Sequence, residues 1–198
     1  MLGSSLAPDS SAPDSSAPGD TLPRVTLVLG GARSGKSRFA ETAVERAGGG
    51  LYLATATVGD AEMAERIALH RARRGARWST IEEPLEIAAR IVAESRPDRP
   101  ILVDCLTLWL SNVMLAEREP GAESERLLRA LAEARGPVLL VANEVGLGIV
   151  PDNALARAFR DHAGRLNQRV AALAERVVFL AAGLPMVLKD AQPAEAAR

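Results

Sequence analysis

The chain has 198 residues, a length for one compact α/β domain with a sizeable core rather than for two. Apolar residues make up an ordinary 47%, and a formal net charge of −1 gives no sign of the strongly basic surface that nucleic-acid binding usually needs. Cys105 is the sole cysteine, which excludes an intrachain disulfide and a thiolate zinc cluster and fits a reducing cytoplasm, and no apolar run is long enough for a membrane span.

In chain order, residues 1–23 come first: Ser-Ser-Ala-Pro recurs at 10–13 and 15–18, with almost no apolar content. Such a segment cannot bury enough surface to offset its ordering entropy, so it reads as a disordered tail. It lacks the basic start and apolar core of a secretory signal. The folded domain is expected over 24–190, with 191–198 as a flexible C-terminus.

Val25 to Leu29 is a short β-branched apolar run, the pattern of a buried parallel strand. A glycine-rich loop follows, then helical spacing from Ser37 to Ala47 before the stop at Gly48-Gly49-Gly50. Leu51 to Ala54 is the second strand. Asp60 is placed to cap a helix running through Met63, Ile67 and His70, and Pro84 to Ser95 is another helix. Ile101 to Cys105 is a third strand, with a carboxylate near its end. Helices are expected over Leu106–Glu117 and Glu123–Ala134, and a fourth strand over Pro137–Asn143. A long amphipathic helix spans Asn153–Glu175, with a break expected near Gly164. Arg176–Ala181 and Met186–Lys189 make a terminal hairpin, with Gly183, Leu184 and Pro185 at its turn. Strands alternating with helices imply a three-layer α/β/α fold around a mostly parallel sheet, closed by an antiparallel hairpin. Ligands of such folds bind at the strand carboxyl ends.

Gly30, Gly31, Ala32, Arg33, Ser34, Gly35, Lys36 and Ser37 spell a phosphate-binding loop between a strand and a helix. The glycines allow close backbone approach, and the loop amides and helix N-terminus aim positive partial charge at phosphate oxygens. Lys36, one of only two lysines, would contact the β and γ phosphates, and Ser37 would place its hydroxyl on Mg²⁺. Asp104, ending a strand, suits the carboxylate that holds that ion directly or through water; capping the next helix is its other role.

His70 would share a helix face with Met63 and Ile67, with Arg66, Arg73 and Arg74 a turn away. Neighbouring cations disfavour a charged imidazole, and a neutral ring nitrogen is a nucleophile. A histidine at the rim of a buried face is the equal alternative from these residues alone. The loop with Gly146, Gly148 and Pro151 could close over a ligand or be a rigid connection. Arg157, Arg160, Asp161, Arg165 and Asn167 crowd the next helix, as a binding face or as a solvated one with its own ion pairs. Cys105 reads as packing, and His162 is given no role.

Taken together, these segments resemble the bifunctional adenosylcobinamide kinase / adenosylcobinamide-phosphate guanylyltransferase family of cobalamin biosynthesis. The resemblance runs from Val25 to Lys189. It is carried by the loop at 30–37, Tyr-Leu-Ala-Thr-Ala at 52–56, Glu62-Met63 with Arg66-Ile67 and His70, and Trp78. Its most specific part is Asn-Glu-Val-Gly-Leu-Gly-Ile-Val-Pro at 143–151, with Phe-Arg-Asp at 159–161 and Gly-Arg-Leu-Asn-Gln at 164–168.

The resemblance implies a P-loop NTPase of RecA-like type. It implies phosphorylation of the adenosylcobinamide hydroxyl by ATP or GTP, then transfer of GMP from GTP to adenosylcobinamide phosphate with release of pyrophosphate. It also implies that His70 carries GMP covalently, and that Ala54, Thr55, Ala56, Arg71, Ala72, Arg73, Arg74, Glu82 and Asp104 line the GTP site. Mg²⁺ on Ser37 and Asp104, and a homotrimer, follow in the same way. Some relatives carry Glu where this chain has Asp104, so the shorter side chain leaves direct and water-mediated metal contact both open. A P-loop kinase without nucleotidyl transfer would make His70 dispensable. A nucleotide-dependent switch would show a partner protein and no small-molecule acceptor.

Overall fold

The computed structural model describes residues 21–56 and 75–191. The helix expected from Asp60 through His70 lies outside the described residues, as do most of the N-terminal tail and residues 192–198. Strands β1 (Val25–Gly30), β2 (Gly50–Ala54), β3 (Trp78–Glu82), β4 (Ile101–Asp104), β5 (Val138–Asn143), β6 (Arg176–Ala181) and β7 (Leu184–Asp190) form one sheet. The helices are α1 (Lys36–Arg46), α2 (Ile87–Glu94), α3 (Leu106–Leu115), α4 (Pro120–Glu133) and α5 (Ala154–Leu173).

The sheet order is β3-β2-β4-β5-β1-β6-β7, with every pair parallel except β6 and β7. One strand, β5, separates the phosphate-loop strand β1 from the strand β4 that ends in Asp104, the arrangement of RecA-like P-loop NTPases. Side chains alternate across the sheet. Leu27, Leu53, Val103 and Leu140 pack with Ile91, Trp109, Leu127 and Val170 of α2, α3, α4 and α5. Val28, Tyr52, Leu102 and Val141 pack with Ala40 and Val44 of α1 on the other face. All of β1 is buried, as both-face coverage of a central parallel strand requires.

The structure adds one strand and corrects three local expectations. The added strand is β3: its sequence Trp-Ser-Thr-Ile-Glu lies at the sheet edge, is only partly buried, and so lacks the apolar run of the inner strands. Helix α5 passes through Gly164 unbroken, because a single helical glycine lowers stability without ending the ladder. Helix α4 starts earlier than Glu123, with Pro120 in its first turn and the Glu119 carboxylate accepting from the Gly121 and Ala122 amides. The terminal turn is Ala182-Gly183, with φ of 51° and 81°, while Leu184 and Pro185 belong to β7. Positive φ at both positions is the geometry of a two-residue hairpin turn. Pro185 is tolerated because β7 is an edge strand, where a missing N–H need not break a ladder.

The entry to α2 is held by a residue that sequence reading passed over. Glu83 accepts hydrogen bonds from the amides of Leu85 at 3.2 Å and Glu86 at 2.9 Å, and from the Arg90 guanidinium at 3.3 Å. Burial pushes the Glu83 carboxyl up, but those donors outweigh it and hold it below the ordinary carboxylate range. A depressed folded-state pKa contributes stability above the unfolded-state value of about 4.3 and loses it as pH falls through the lower folded-state value. Glu83→Ala should therefore cost about 1 kcal/mol at neutral pH. In urea melts, the gap from the parent chain should narrow as the pH drops below about 4.

Candidate functional site

The phosphate loop is built by steric exclusion. Gly30 ends β1 with φ of 151°, and a Cβ there would stand 2.4 Å from the Leu180 carbonyl oxygen and 2.7 Å from Ser34 Oγ. Gly35, at φ of 97°, turns the chain into α1. The Ser34 amide donates to the Gly31 carbonyl at 3.3 Å, and the Gly183 amide in the β6–β7 turn donates to the Ser34 carbonyl at 2.9 Å. Gly31, Ala32 and Arg33 form the exposed crest. The N-cap of α1 is Gly35, which has no side chain to cap the first turn, so among the described residues the first amides of α1 are left for an anion.

Lys36 enters this loop from the first turn of α1 and is buried, its ammonium donating to the Gly31 carbonyl at 2.5 Å. Burial lowers the pKa of Lys36, and the negative charge of Asp104 acts against that. Asp104 therefore lies within electrostatic reach of the loop. Ser37 follows Lys36 and is half-buried. A hydroxyl and a carboxylate beside a phosphate loop are the hard oxygen donors that Mg²⁺ takes along with a nucleotide's own phosphates. The residues present fit that ion.

The strand registers bring Ala54 opposite both Asp104 and Glu82, at the carboxyl ends of β2, β4 and β3. Asp104 Oδ2 accepts a hydrogen bond from the Tyr52 hydroxyl at 2.7 Å. Thr55 is fully buried, and its hydroxyl both donates to the Cys105 carbonyl and accepts from the Cys105 amide, each at 2.8 Å. Asn112 on α3 donates to the Thr55 carbonyl at 2.8 Å and the Pro84 carbonyl at 3.2 Å. Thr55 is thus a tie between strand ends, flanked in sequence by the half-buried Ala54 and Ala56. Glu82 is exposed at the end of the outer strand.

Beyond β5, the Glu144 amide donates to the Gly30 carbonyl at 3.0 Å, which joins the 144–151 loop to the phosphate loop. Leu147, Ile149 and Val150 on this loop are exposed, as is Leu155 at the start of α5. Arg157 donates to the carbonyls of Pro151 and Asp152. Asn167 is buried and donates to the Asn143 carbonyl at 3.4 Å. Arg157 and Asn167 therefore brace the loop from α5, and Arg160 pairs with Asp161 at 3.8 Å.

The fold gathers the residues at 30–37, 54–56, 82 and 104 along one edge of the sheet. The remaining expected site residues, His70, Arg71, Ala72, Arg73 and Arg74, lie outside the described residues. Sequence reasoning gives no role to Tyr52, although it opens the Tyr-Leu-Ala-Thr-Ala stretch at 52–56. It passes over Asn112 altogether, which carries no local signal.

Residues 26–188 match the family model described as cobinamide kinase / cobinamide phosphate guanyltransferase. The chain belongs to this family. Among curated relatives, a bifunctional adenosylcobalamin biosynthesis protein of Pseudomonas aeruginosa is 52% identical over 166 residues, 82% of this chain and 96% of that protein. A protein of the same description from Salmonella typhimurium is 42% identical over 178 residues, covering 82% of this chain and 98% of its own. A solved Pyrococcus horikoshii structure overlaps with a TM-score of 0.51 at 8% identity, over 86% of this chain and 89% of that one, a likeness of fold alone. Among the described residues, no helix is long and apolar enough to cross a membrane.

Within this cobinamide kinase / guanyltransferase site, Cys105 is structural. Burial, reinforced by the Asp104 charge, pushes its thiol up to about 11. The reactive thiolate is therefore scarce at pH 8, and alkylation by iodoacetamide in the folded protein should be at least about tenfold slower than in urea. Mass spectrometry of quenched samples reads the difference directly.

Proposed function

We propose that the chain phosphorylates adenosylcobinamide with ATP or GTP, and then transfers GMP from GTP to the resulting phosphate. The observation that carries this is a buried Lys36 in an anion-ready loop, with Asp104 and Glu82 on the same edge, in a member of this family. In the first reaction the acceptor hydroxyl oxygen bonds to the γ-phosphorus. The bond from that phosphorus to the β-bridging oxygen breaks, and the hydroxyl proton leaves to solvent or a base. Lys36 and the loop amides would hold the β and γ phosphates, and Mg²⁺ on Ser37 and Asp104 would supply charge neutralisation.

In the second reaction a neutral ring nitrogen of His70 attacks the α-phosphorus of GTP, forming a P–N bond as the bond to pyrophosphate breaks. The acceptor phosphate oxygen then attacks the same phosphorus, breaking P–N and giving adenosylcobinamide-GDP. Ala54, Thr55, Ala56, Glu82 and residues 71–74 are the proposed nucleotide wall. A homotrimer and a cytoplasmic location belong to this reading as well.

GTP labelled on the α-phosphate tests the covalent step. With Mg²⁺ present, denaturing electrophoresis and intact mass should show acid-labile, base-stable GMP on the protein and none on His70→Ala. A chain that binds GTP but takes no label would leave a plain P-loop kinase.

The exposed apolar residues of the 144–151 loop, joined to Gly30, offer a surface for a macrocycle too bulky for a closed pocket. Replacing Leu147 and Ile149 together with serine should raise the KM for the corrinoid about tenfold, since each side chain would lose burial on binding. The KM for GTP should stay constant. An unchanged corrinoid KM would place the acceptor elsewhere.

A further inference from the structure

Tyr52 stands opposite Leu102 in the β2–β4 register, two residues before the pair Ala54 and Asp104. Its side chain therefore lies on the same sheet face as Asp104 and reaches that carboxylate diagonally. The ring is buried, and the hydroxyl donates to Asp104 Oδ2 at 2.7 Å. The ring is itself fixed: it meets Trp78 edge-on, with centroids 6.2 Å apart and planes at 74°. The Trp78 indole N–H donates to Glu45 on α1 at 3.3 Å. One chain of contacts thus runs from α1, the helix whose first turn carries Lys36, through β3 and β2 to the carboxylate at the end of β4.

We propose that Tyr52 is a positioning residue for the metal-side carboxylate: its hydroxyl occupies Oδ2 of Asp104 and leaves Oδ1 to make the metal-side contact, directly or through water. An aspartate without that partner would be free to rotate about its terminal torsion and present either oxygen. A partner behind a ligating carboxylate is the kind of contact whose loss typically weakens metal binding tenfold or more. The inference rests on the reading of Asp104 as the metal-side carboxylate, and the test separates the two.

Binding of Mn²⁺, followed by the electron paramagnetic resonance signal of the free ion, is measured on the full chain with a non-hydrolysable GTP analogue. Tyr52→Phe keeps the ring and its contact with Trp78. It should weaken Mn²⁺ binding about tenfold while leaving analogue affinity in EDTA unchanged. Asp104→Asn should weaken Mn²⁺ binding at least as much, and the double variant should bind no worse than Asp104→Asn alone, the signature of one residue acting through the other. Normal Mn²⁺ binding by Tyr52→Phe beside an impaired Asp104→Asn would overturn the role of Tyr52 only. Additive losses in the double variant would overturn it too. Normal binding by Asp104→Asn would remove the metal-side reading and this inference with it.

Discussion

The site is organised around a buried cation. Lys36 is 7% exposed, and burying an ammonium group costs free energy unless oxygens replace the water it gives up. The fold supplies the Gly31 carbonyl at 2.5 Å and the negative field of Asp104, yet burial still prevails and the pKa remains below the ordinary value. On the proposed reading of the site, phosphate oxygens at the mouth of the loop would add to the compensation that the Gly31 carbonyl and Asp104 give.

Holding that cation in place requires a rigid frame, and the sheet edge provides it with backbone-directed hydrogen bonds. Gly30 is pressed against β6 so closely that no side chain fits, and the Gly183 amide props the loop from the hairpin turn. On the other side of β5, the reciprocal Thr55–Cys105 bonds and the Asn112 amide join the ends of β2 and β4 to the approach to α2. Thr107 on α3 accepts from the Asn143 amide at 2.7 Å and ties α3 to the end of β5. Each of these groups would be an unsatisfied donor or acceptor if its partner were lost, which makes the edge a connected network.

The inner strands were legible because their sequences are continuous apolar runs, and the phosphate loop was legible because its chemistry needs glycines, lysine and serine at fixed spacing. What escaped shares a physical cause. β3 is an edge strand whose exposed Ser79 and Thr80 hide the strand pattern, and the terminal turn uses Ala182 at a φ of 51° where asparagine or glycine would have announced it. The expected break at Gly164 gave too much weight to one residue inside a long amphipathic period. In the site, Asn112, Glu83 and Tyr52 act through contacts made across the fold or around a turn, which no spacing rule encodes. Arg157 and Asn167 stood out by composition, and their hydrogen bonds show them bracing a loop.

The topology also bears on how one phosphate loop could serve the proposed pair of reactions. If Lys36 and the loop amides hold the β and γ phosphates in both, the two attacks fall on phosphorus atoms at opposite ends of the triphosphate. The γ-phosphorus is next to the loop, and the α-phosphorus lies toward the nucleoside. On that reading the acceptor hydroxyl that attacks the γ-phosphorus and the histidine that attacks the α-phosphorus would approach from different directions. In sequence, His70 follows β2 and the apolar 144–151 loop follows β5, and β4 with Asp104 stands between those two strands. A single central carboxylate with a chain exit on either side is what a shared phosphate grip would need, because the metal-side group can then remain fixed while the attacking group changes.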